Sequence, residues 1–233
     1  SNAELKMLLE RIEKRAVDKI PTPYLLKEAW LIDHPFYCDE RVIIPRSYIA
    51  ELLKDELAPW VSNPENVTRV LDLCTGSGCL GIIAAEVFPN AKVDCVDISQ
   101  DALDVAKINV ERYGMQDRIE LIKSDLFNEL GDRQYDVIIS NPPYVTQEAM
   151  DNLPGEYRHE PALALGAGDD GLDIVRRLMT DSKAHLTNRG VMVVEVGDGK
   201  EACEAAYPKV PFTWLATENE DAMVYLLRKD ELP

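Results

Sequence analysis

Asn141, Pro142, Pro143 and Tyr144 stand together directly after the apolar run Tyr135–Ser140 (Y-D-V-I-I-S). The run reads as a buried parallel strand. The four residues therefore fall at a strand's carboxyl end, where open α/β sheets hold their ligands. Asn before Pro is pushed toward extended backbone. Two successive prolines fix φ, donate no hydrogen bonds and end the strand. The Asn141 side-chain oxygen and the Pro142 carbonyl can then face one pocket as acceptors, with Tyr144 as a flat wall. Two acceptors beside an aromatic face suit a planar group that carries an NH2, such as an amide or a base amine. A proline-rich turn with no chemistry would also follow a strand in this way.

A second constellation lies upstream. Residues 67–73 (V-T-R-V-L-D-L) read as a strand, followed by Cys74, Thr75, Gly76, Ser77, Gly78, Cys79, Leu80 and Gly81 and then an apolar helix. Gly76 and Gly78 permit a tight bend and a close ligand approach. Residues 93–97 (V-D-C-V-D) form a further strand ending in Asp97, placed to accept from ribose hydroxyls. Gly76, Gly78 and Gly81 also fit the G-x-G-x-x-G dinucleotide fingerprint. Asp72 opposes that reading, because a carboxylate beside the turn repels a pyrophosphate. A cationic ligand with an α-amino group and a sulfonium would welcome it. Residues 119–125 (I-E-L-I-K-S-D) give a third strand. Asp125 there could accept from an adenine amine or cap a helix, with Leu126 and Phe127 beside the ring.

This order resembles the class I S-adenosylmethionine-dependent methyltransferases, and N-P-P-Y resembles their amino- and amide-methylating branch. The finer resemblance is to the glutamine N(5)-methyltransferases of translation proteins, nearest the type that acts on ribosomal protein L-three. Residues 36–46 (F-Y-C-D-E-R-V-I-I-P-R), Ser47, Glu51 and residues 72–78 carry it. So do residues 141–145, 156–161 (E-Y-R-H-E-P), 168–172 (G-D-D-G-L), 195–197 (E-V-G) and 211–215 (P-F-T-W-L). The sister family, acting on release factors, reads P-R-P-E-T-E where this chain has Pro45, Arg46, Ser47, Tyr48 and on to Glu51. It also tends to have Gly where Cys74 stands.

The resemblance implies an α/β fold with a Rossmann-like seven-stranded sheet, mostly parallel with one antiparallel strand, plus an N-terminal helix and a β-hairpin. It implies S-adenosylmethionine as cofactor, S-adenosylhomocysteine as product and no metal. Asp72, Thr75, Gly76, Ser77, Gly78, Asp97, Ile98, Asp125, Leu126 and Asn141 are then the expected cofactor contacts. Asn141, Pro142 and Tyr144 are the expected catalytic residues, and Asn141, Pro142, Pro143 and Tyr144 the expected substrate contacts. Arg46 would face cofactor, substrate or a surface carboxylate. Glu156, Arg158, His159 and Glu160 would select substrate or simply solvate a loop. Glu195 would brace a neighbouring loop. Trp30, Trp60 and Trp214 read as packing residues.

Composition narrows the function classes. A net charge of −17 repels phosphate backbones, so direct nucleic-acid binding is not expected. It suits a basic ribosomal protein as substrate, although acidity also serves solubility. No apolar stretch reaches the roughly 20 residues of a membrane span, no signal peptide is visible, and a cytoplasmic setting follows. The five cysteines form no C-x-x-C pair and the three histidines have no ligand spacing, so reduced thiols and no zinc are expected. Residues 1–3 read as an expression remnant. Residues 4–44 read as the last part of a truncated helical domain plus a hairpin that roofs the site, and residues 45–233 as the methyltransferase domain. Within these, residues 4–20 read as one amphipathic helix, 48–57 and 101–114 as helices, and a further helix begins near Asp170. Residues 190–197 read as a strand, with a closing antiparallel pair at 212–217 and 222–228. Three alternatives stay open: glutamine methylation of release factors, amine methylation of a nucleic-acid base, and a binder that holds the cofactor without catalysis.

Overall fold

The computed structural model of the protein describes residues 1–217 and 221–233. Helix α1 spans Asn2–Ala16. Ser1 and Glu4 form a reciprocal capping box, so the first residues belong to the helix. The helix stops short of residue 20, and Lys19 takes a left-handed φ of 59° that turns the chain. Leu5, Leu8, Leu9 and Ile12 on its apolar face are all more than half exposed.

The segment expected to be a roofing hairpin is more divided. It holds α2 (Thr22–Leu26) and a three-residue hairpin, β1 (Ala29–Leu31) and β2 (His34–Phe36), with Ala29 opposite Phe36. Phe36 stacks on Tyr113 at 5.4 Å and His34 bonds Glu86 at 2.7 Å. The hairpin thus lies on a flank of the domain. The irregular residues 41–43 beyond it cover the site instead. Helix α3 is Ile49–Lys54, shorter than expected, because Glu56 and Leu57 both take positive φ, 57° and 54°.

The central unit alternates β3 (Arg69–Leu73), α4 (Cys79–Val87), β4 (Lys92–Asp97), α5 (Gln100–Arg112), β5 (Ile119–Lys123) and β6 (Tyr135–Ser140). It continues through α6 (Gln147–Asp151), α7 (Asp173–His185), β7 (Leu186–Glu195), α8 (Lys200–Ala206), β8 (Thr213–Ala216) and β9 (Asp221–Arg228). The sheet order is β5-β4-β3-β6-β7-β9-β8. Only β9 runs against its neighbours, as expected for this class of sheet. The winding reverses between β3 and β6, the position where such sheets bind ligands. Alternate residues enter two cores: Val70, Val137 and Val193 pack on one face, Leu71, Ile138 and Val194 on the other. Burial on both faces explains the nearly continuous apolar runs.

Two further boundaries differ from expectation. Helix α7 starts at Asp173, because Asp170 is committed to the Leu172 N–H and to Arg176. Strand β7 starts at Leu186. Its next residues, Thr187, Asn188 and Arg189, are polar and lie in the bulge between the Tyr135–Leu186 and Val137–Val191 pairs, so an apolar run could not reveal them.

Candidate active site

Strands β3 and β6 end side by side, with Leu73 opposite Ser140 and the Ser140 hydroxyl donating to the Leu73 carbonyl at 2.9 Å. The loop after each strand therefore opens onto the same space. After β3 the chain bends through left-handed conformations at Cys74, Gly76 and Gly78 (φ 60°, 55° and 79°). A left-handed non-glycine residue such as Cys74 costs about 1–2 kcal/mol. This is the position where the sister family tends to have Gly.

The bend leaves the Gly76 N–H pointing at the Asp97 carboxylate, 2.9 Å away, while the Ser99 N–H donates to the other Asp97 oxygen at 2.9 Å. Burial raises the Asp97 pKa, partly offset by these backbone donors. Each oxygen retains acceptor capacity for a ribose hydroxyl. Gly76, Asp97, Ile98, Asp125, Leu126 and Asn141 line one cavity of about 220 Å3. Pro143 also lines it, so this proline faces the expected cofactor side and not the amide side.

Four expected cofactor contacts, Asp72, Thr75, Ser77 and Gly78, do not line the cavity. They build the turn beneath it. The Asp72 carboxylate accepts from Thr75 Oγ1 at 2.5 Å and from the Gly81 N–H at 2.9 Å. The Ser77 carbonyl accepts from Asn109. Gly81 leaves the space for this arrangement: a Cβ there would lie 2.2 Å from Cys95 Sγ and 3.2 Å from Asp72 Oδ2. Asp72 Oδ1 is buried without a partner, and burial raises this carboxyl to about 7.

The cavity fits a cationic adenosyl ligand better than a dinucleotide. Its two guanidiniums are already engaged, Arg41 with Asp39 at 2.8 Å and Arg177 with Asp125 at 2.7 Å. Among the described residues no free cation in this lining awaits a pyrophosphate, whereas two carboxylates, Asp97 and Asp125, border it. Leu126, Pro143, Leu163 and Ile174 give apolar walls for a flat ring. Sequence reasoning missed Cys74, the covering residues 41–43, Leu163, Ile174 and Arg177. Only the left-handed site at Cys74 carried a signal, the glycine of the sister family.

A second cavity of about 240 Å3 adjoins the first and shares Asn141 with it. Pro142, Tyr144, Arg46, Ile43 and Tyr157 complete its walls. Asn141 donates its side-chain NH2 to the Arg46 carbonyl at 3.1 Å. Its side-chain oxygen is thereby left as an acceptor. Arg46 pairs with the buried Glu160 at 2.9 Å and lies 5.5 Å over the Tyr157 ring. It is thus a strut between two loops and not a surface ion pair. The 156–161 loop is likewise held: Glu156 pairs with Arg15 at 2.6 Å, and His159 bonds the Asp18 carbonyl at 2.9 Å. No histidine lines either cavity among the described residues.

Tyr144 separates this cavity from a wider groove that includes Trp30, Leu31, Tyr48, Asp198 and Met223. Trp30 is 62 % exposed, so it is not the packing residue expected. Trp60 and Trp214 do pack, Trp214 stacking with Phe212 at 5.5 Å. Among the described residues no His/Cys/Asp/Glu group is arranged to hold a metal, and no helix is long and apolar enough to cross a membrane.

The family model for the methyltransferase small domain matches residues 51–155. Solved structures share the fold at low identity. A methyltransferase from Pyrococcus furiosus superposes with a TM-score of 0.57 at 16 % identity, covering 98 % of both chains. The N-terminal domain of human METTL16 in complex with SAH gives 0.53 at 18 % identity, over 82 % of this chain and 74 % of that one. Fold and site together define a Rossmann-like, S-adenosylmethionine-dependent methyltransferase. The ribosomal protein uL3 glutamine methyltransferase of Neisseria meningitidis serogroup A is 53 % identical over 99 % of this chain and 76 % of its own length. That of Burkholderia pseudomallei is 51 % identical over 99 % and 77 %. The chain belongs to the ribosomal protein uL3 glutamine methyltransferase family.

Proposed function

We propose that this chain methylates the side-chain amide nitrogen of a glutamine in ribosomal protein uL3, with the cofactor in the Asp97 cavity and the amide in the Asn141–Tyr144 cavity. The observation that carries this reading is the Asn141–Arg46 hydrogen bond. It commits the Asn141 NH2 elsewhere and presents the side-chain oxygen where the two cavities meet. Asp97 would hold the ribose, Ile98 and Leu126 the adenine ring, and Asp125 its amine. Bound S-adenosylmethionine supplies a methyl group on positively charged sulfur.

The amide is a poor nucleophile, because its lone pair is delocalised by the resonance that gives a peptide bond its ~18–20 kcal/mol rotational barrier. Asn141 and the Pro142 carbonyl each accept one amide hydrogen. That fixes the NH2 plane, raises electron density on nitrogen and aims it toward the first cavity. Positioning is then the chief catalytic contribution. The same two dipoles oppose the positive charge that develops on nitrogen. Tyr144 packs on the amide. The methylated nitrogen is strongly acidic and loses its proton to solvent without a dedicated base. A net charge of −17 suits a basic protein partner in the cytoplasm and disfavours direct nucleic-acid binding.

Incubation with methyl-labelled cofactor and uL3, with products mapped by mass spectrometry, tests the assignment. One methyl on a uL3 glutamine is expected. Label on a G-G-Q release factor or on duplex DNA in its place would overturn it. Asn141→Ala should lower kcat by about 10²–10³, while cofactor affinity stays within about tenfold. Unchanged turnover would remove Asn141 from the chemistry.

A further inference from the structure

Glu195 ends β7, one residue beyond the Ser140–Val194 pair, and so stands level with Asn141. It is only 3 % exposed. A buried carboxylate is costly unless donors satisfy it, and here they come from one segment. Ser47 Oγ donates to Glu195 at 2.5 Å and the Tyr48 N–H at 3.0 Å. Ser47 also accepts the Ile49 N–H at 3.2 Å. Tyr144 lines the same groove as Glu195, where burial and then the neighbouring carboxylate raise its pKa.

These contacts join two walls that are far apart in sequence. Ser47 is bonded to Arg46, whose carbonyl holds the Asn141 NH2. A single side chain is thus tied to the Asn141 acceptor through one peptide unit, and it stands beside the Tyr144 wall. Two glycines leave Tyr144 a single seat. A Cβ on Gly197 would lie 2.7 Å from Tyr144 Cε2, and one on Gly171 would lie 2.4 Å from the Tyr144 carbonyl oxygen. Capping α3 would account for the Ser47 and Tyr48 contacts. It would not account for the close approach of Tyr144 to the end of the same strand, where a Cβ on Gly197 would meet the ring.

We infer that Glu195 is the positioning residue of the amide site: it holds Asn141 and Tyr144 at a constant separation, so that the amide plane has one orientation. The inference rests on the amide-site reading above. Gly197 extends it, as the seat against which Glu195 sets the ring, while Gly171 leaves room for the Tyr144 carbonyl.

The test is steady-state kinetics on uL3 for Glu195→Ala, Glu195→Gln, Gly197→Ala and Asn141→Ala, with cofactor affinity by calorimetry. In Glu195→Ala, kcat should fall about 30- to 100-fold, the scale of a small misplacement of reacting groups. Cofactor affinity should stay within about twofold, because no contact to the Asp97 cavity is lost. In Glu195→Gln, kcat should recover to within about fivefold of wild type, since the amide oxygen still accepts from Ser47 and Tyr48. Gly197→Ala should cost kcat at least about tenfold by displacing the ring, and it carries the test if Glu195→Ala does not fold. Wild-type kcat in Glu195→Ala or Gly197→Ala would overturn the inference. So would a Gln variant as slow as the Ala variant, or a kcat loss matched by lost cofactor affinity. Asn141→Ala separates the levels: if it turns over normally, the amide-site reading itself fails. If it is inactive while Glu195→Ala is not, only the positioning role falls.

Discussion

Asp72 and Asp94 sit one register position apart on neighbouring strands, since Asp72 pairs with Cys95 and Asp94 with Leu71. They are 1 % and 3 % exposed, yet they face opposite sides of the sheet and have different surroundings. Asp94 accepts from Arg69 at 2.8 Å, Arg133 at 3.0 Å and the Tyr135 hydroxyl at 2.7 Å. It closes a network that ties β3, β4 and β6 together. Asp72 has no cation beside it. Thr75 and the Gly81 N–H reach one oxygen, and the other has no partner. The comparison shows that burial alone does not set a carboxylate's role. Donors supplied by the fold make Asp94 structural, whereas Asp72 lies under the bend that shapes the cofactor cavity, with capacity left over.

The contrast can be broken first at Asp94. Asp94→Ala strands the Arg69 guanidinium and the Tyr135 phenol and leaves Arg133 with Glu120 alone, and should cost about 2–4 kcal/mol, tempered because both arginines are partly exposed. A thermal melt should show a drop of roughly 10 °C. A loss under about 1 kcal/mol would deny the network its role.

Asp72 should respond in the opposite direction. The folded chain holds its proton up to about pH 7, against an ordinary aspartate value of 3.8. Between those values folding takes up a proton, so stability falls as pH rises through the window. Asp72→Asn should abolish that slope and stabilise the unliganded protein by about 1–3 kcal/mol at pH 8, with little effect near pH 4. Melts across pH would register this. The same variant should bind S-adenosylmethionine about three- to tenfold more weakly, because a negative charge beneath a cationic ligand is lost. Equal affinity would reduce Asp72 to a brace for the turn.

The smallest expected effect lies in the bend itself. Cys74→Gly relieves a left-handed φ of 60°, but it surrenders side-chain contacts and adds unfolded-state entropy. The net change should stay within about 1 kcal/mol, a few degrees in the melt.

Local physics made much of this protein readable. Strand β6 matches its expected limits residue for residue, and the acid ending β4 and the glycine bend after β3 fall where the pattern placed them. Each is decided by neighbours in the chain: an apolar run buried on both faces, or glycine where φ must be positive. Reading failed where a residue's partner lies elsewhere. The helix-side donor to Asp72, the Gly81 N–H, is invisible without the turn's geometry. Trp30 looked like core because aromatics usually are, but its hairpin carries it to the rim of a groove. Glu195 reads as a brace for a neighbouring loop, and only the structure shows that the loop is that of Ser47, 148 residues away.

The amino-acid sequence by itself determined the kinds of chemistry available: acceptors for an NH2 group at the Asn-Pro-Pro-Tyr end, a strand-end acid with the capacity to accept from hydroxyls, and a net charge of −17. Short-range sterics and composition suffice for that. Only the tertiary structure decided which groups are committed and which are left to act. Arg46 reaches Asn141 across 95 residues and turns its NH2 away. The choice of hydrogen-bond partner is made between distant segments, once the sheet has brought their ends together.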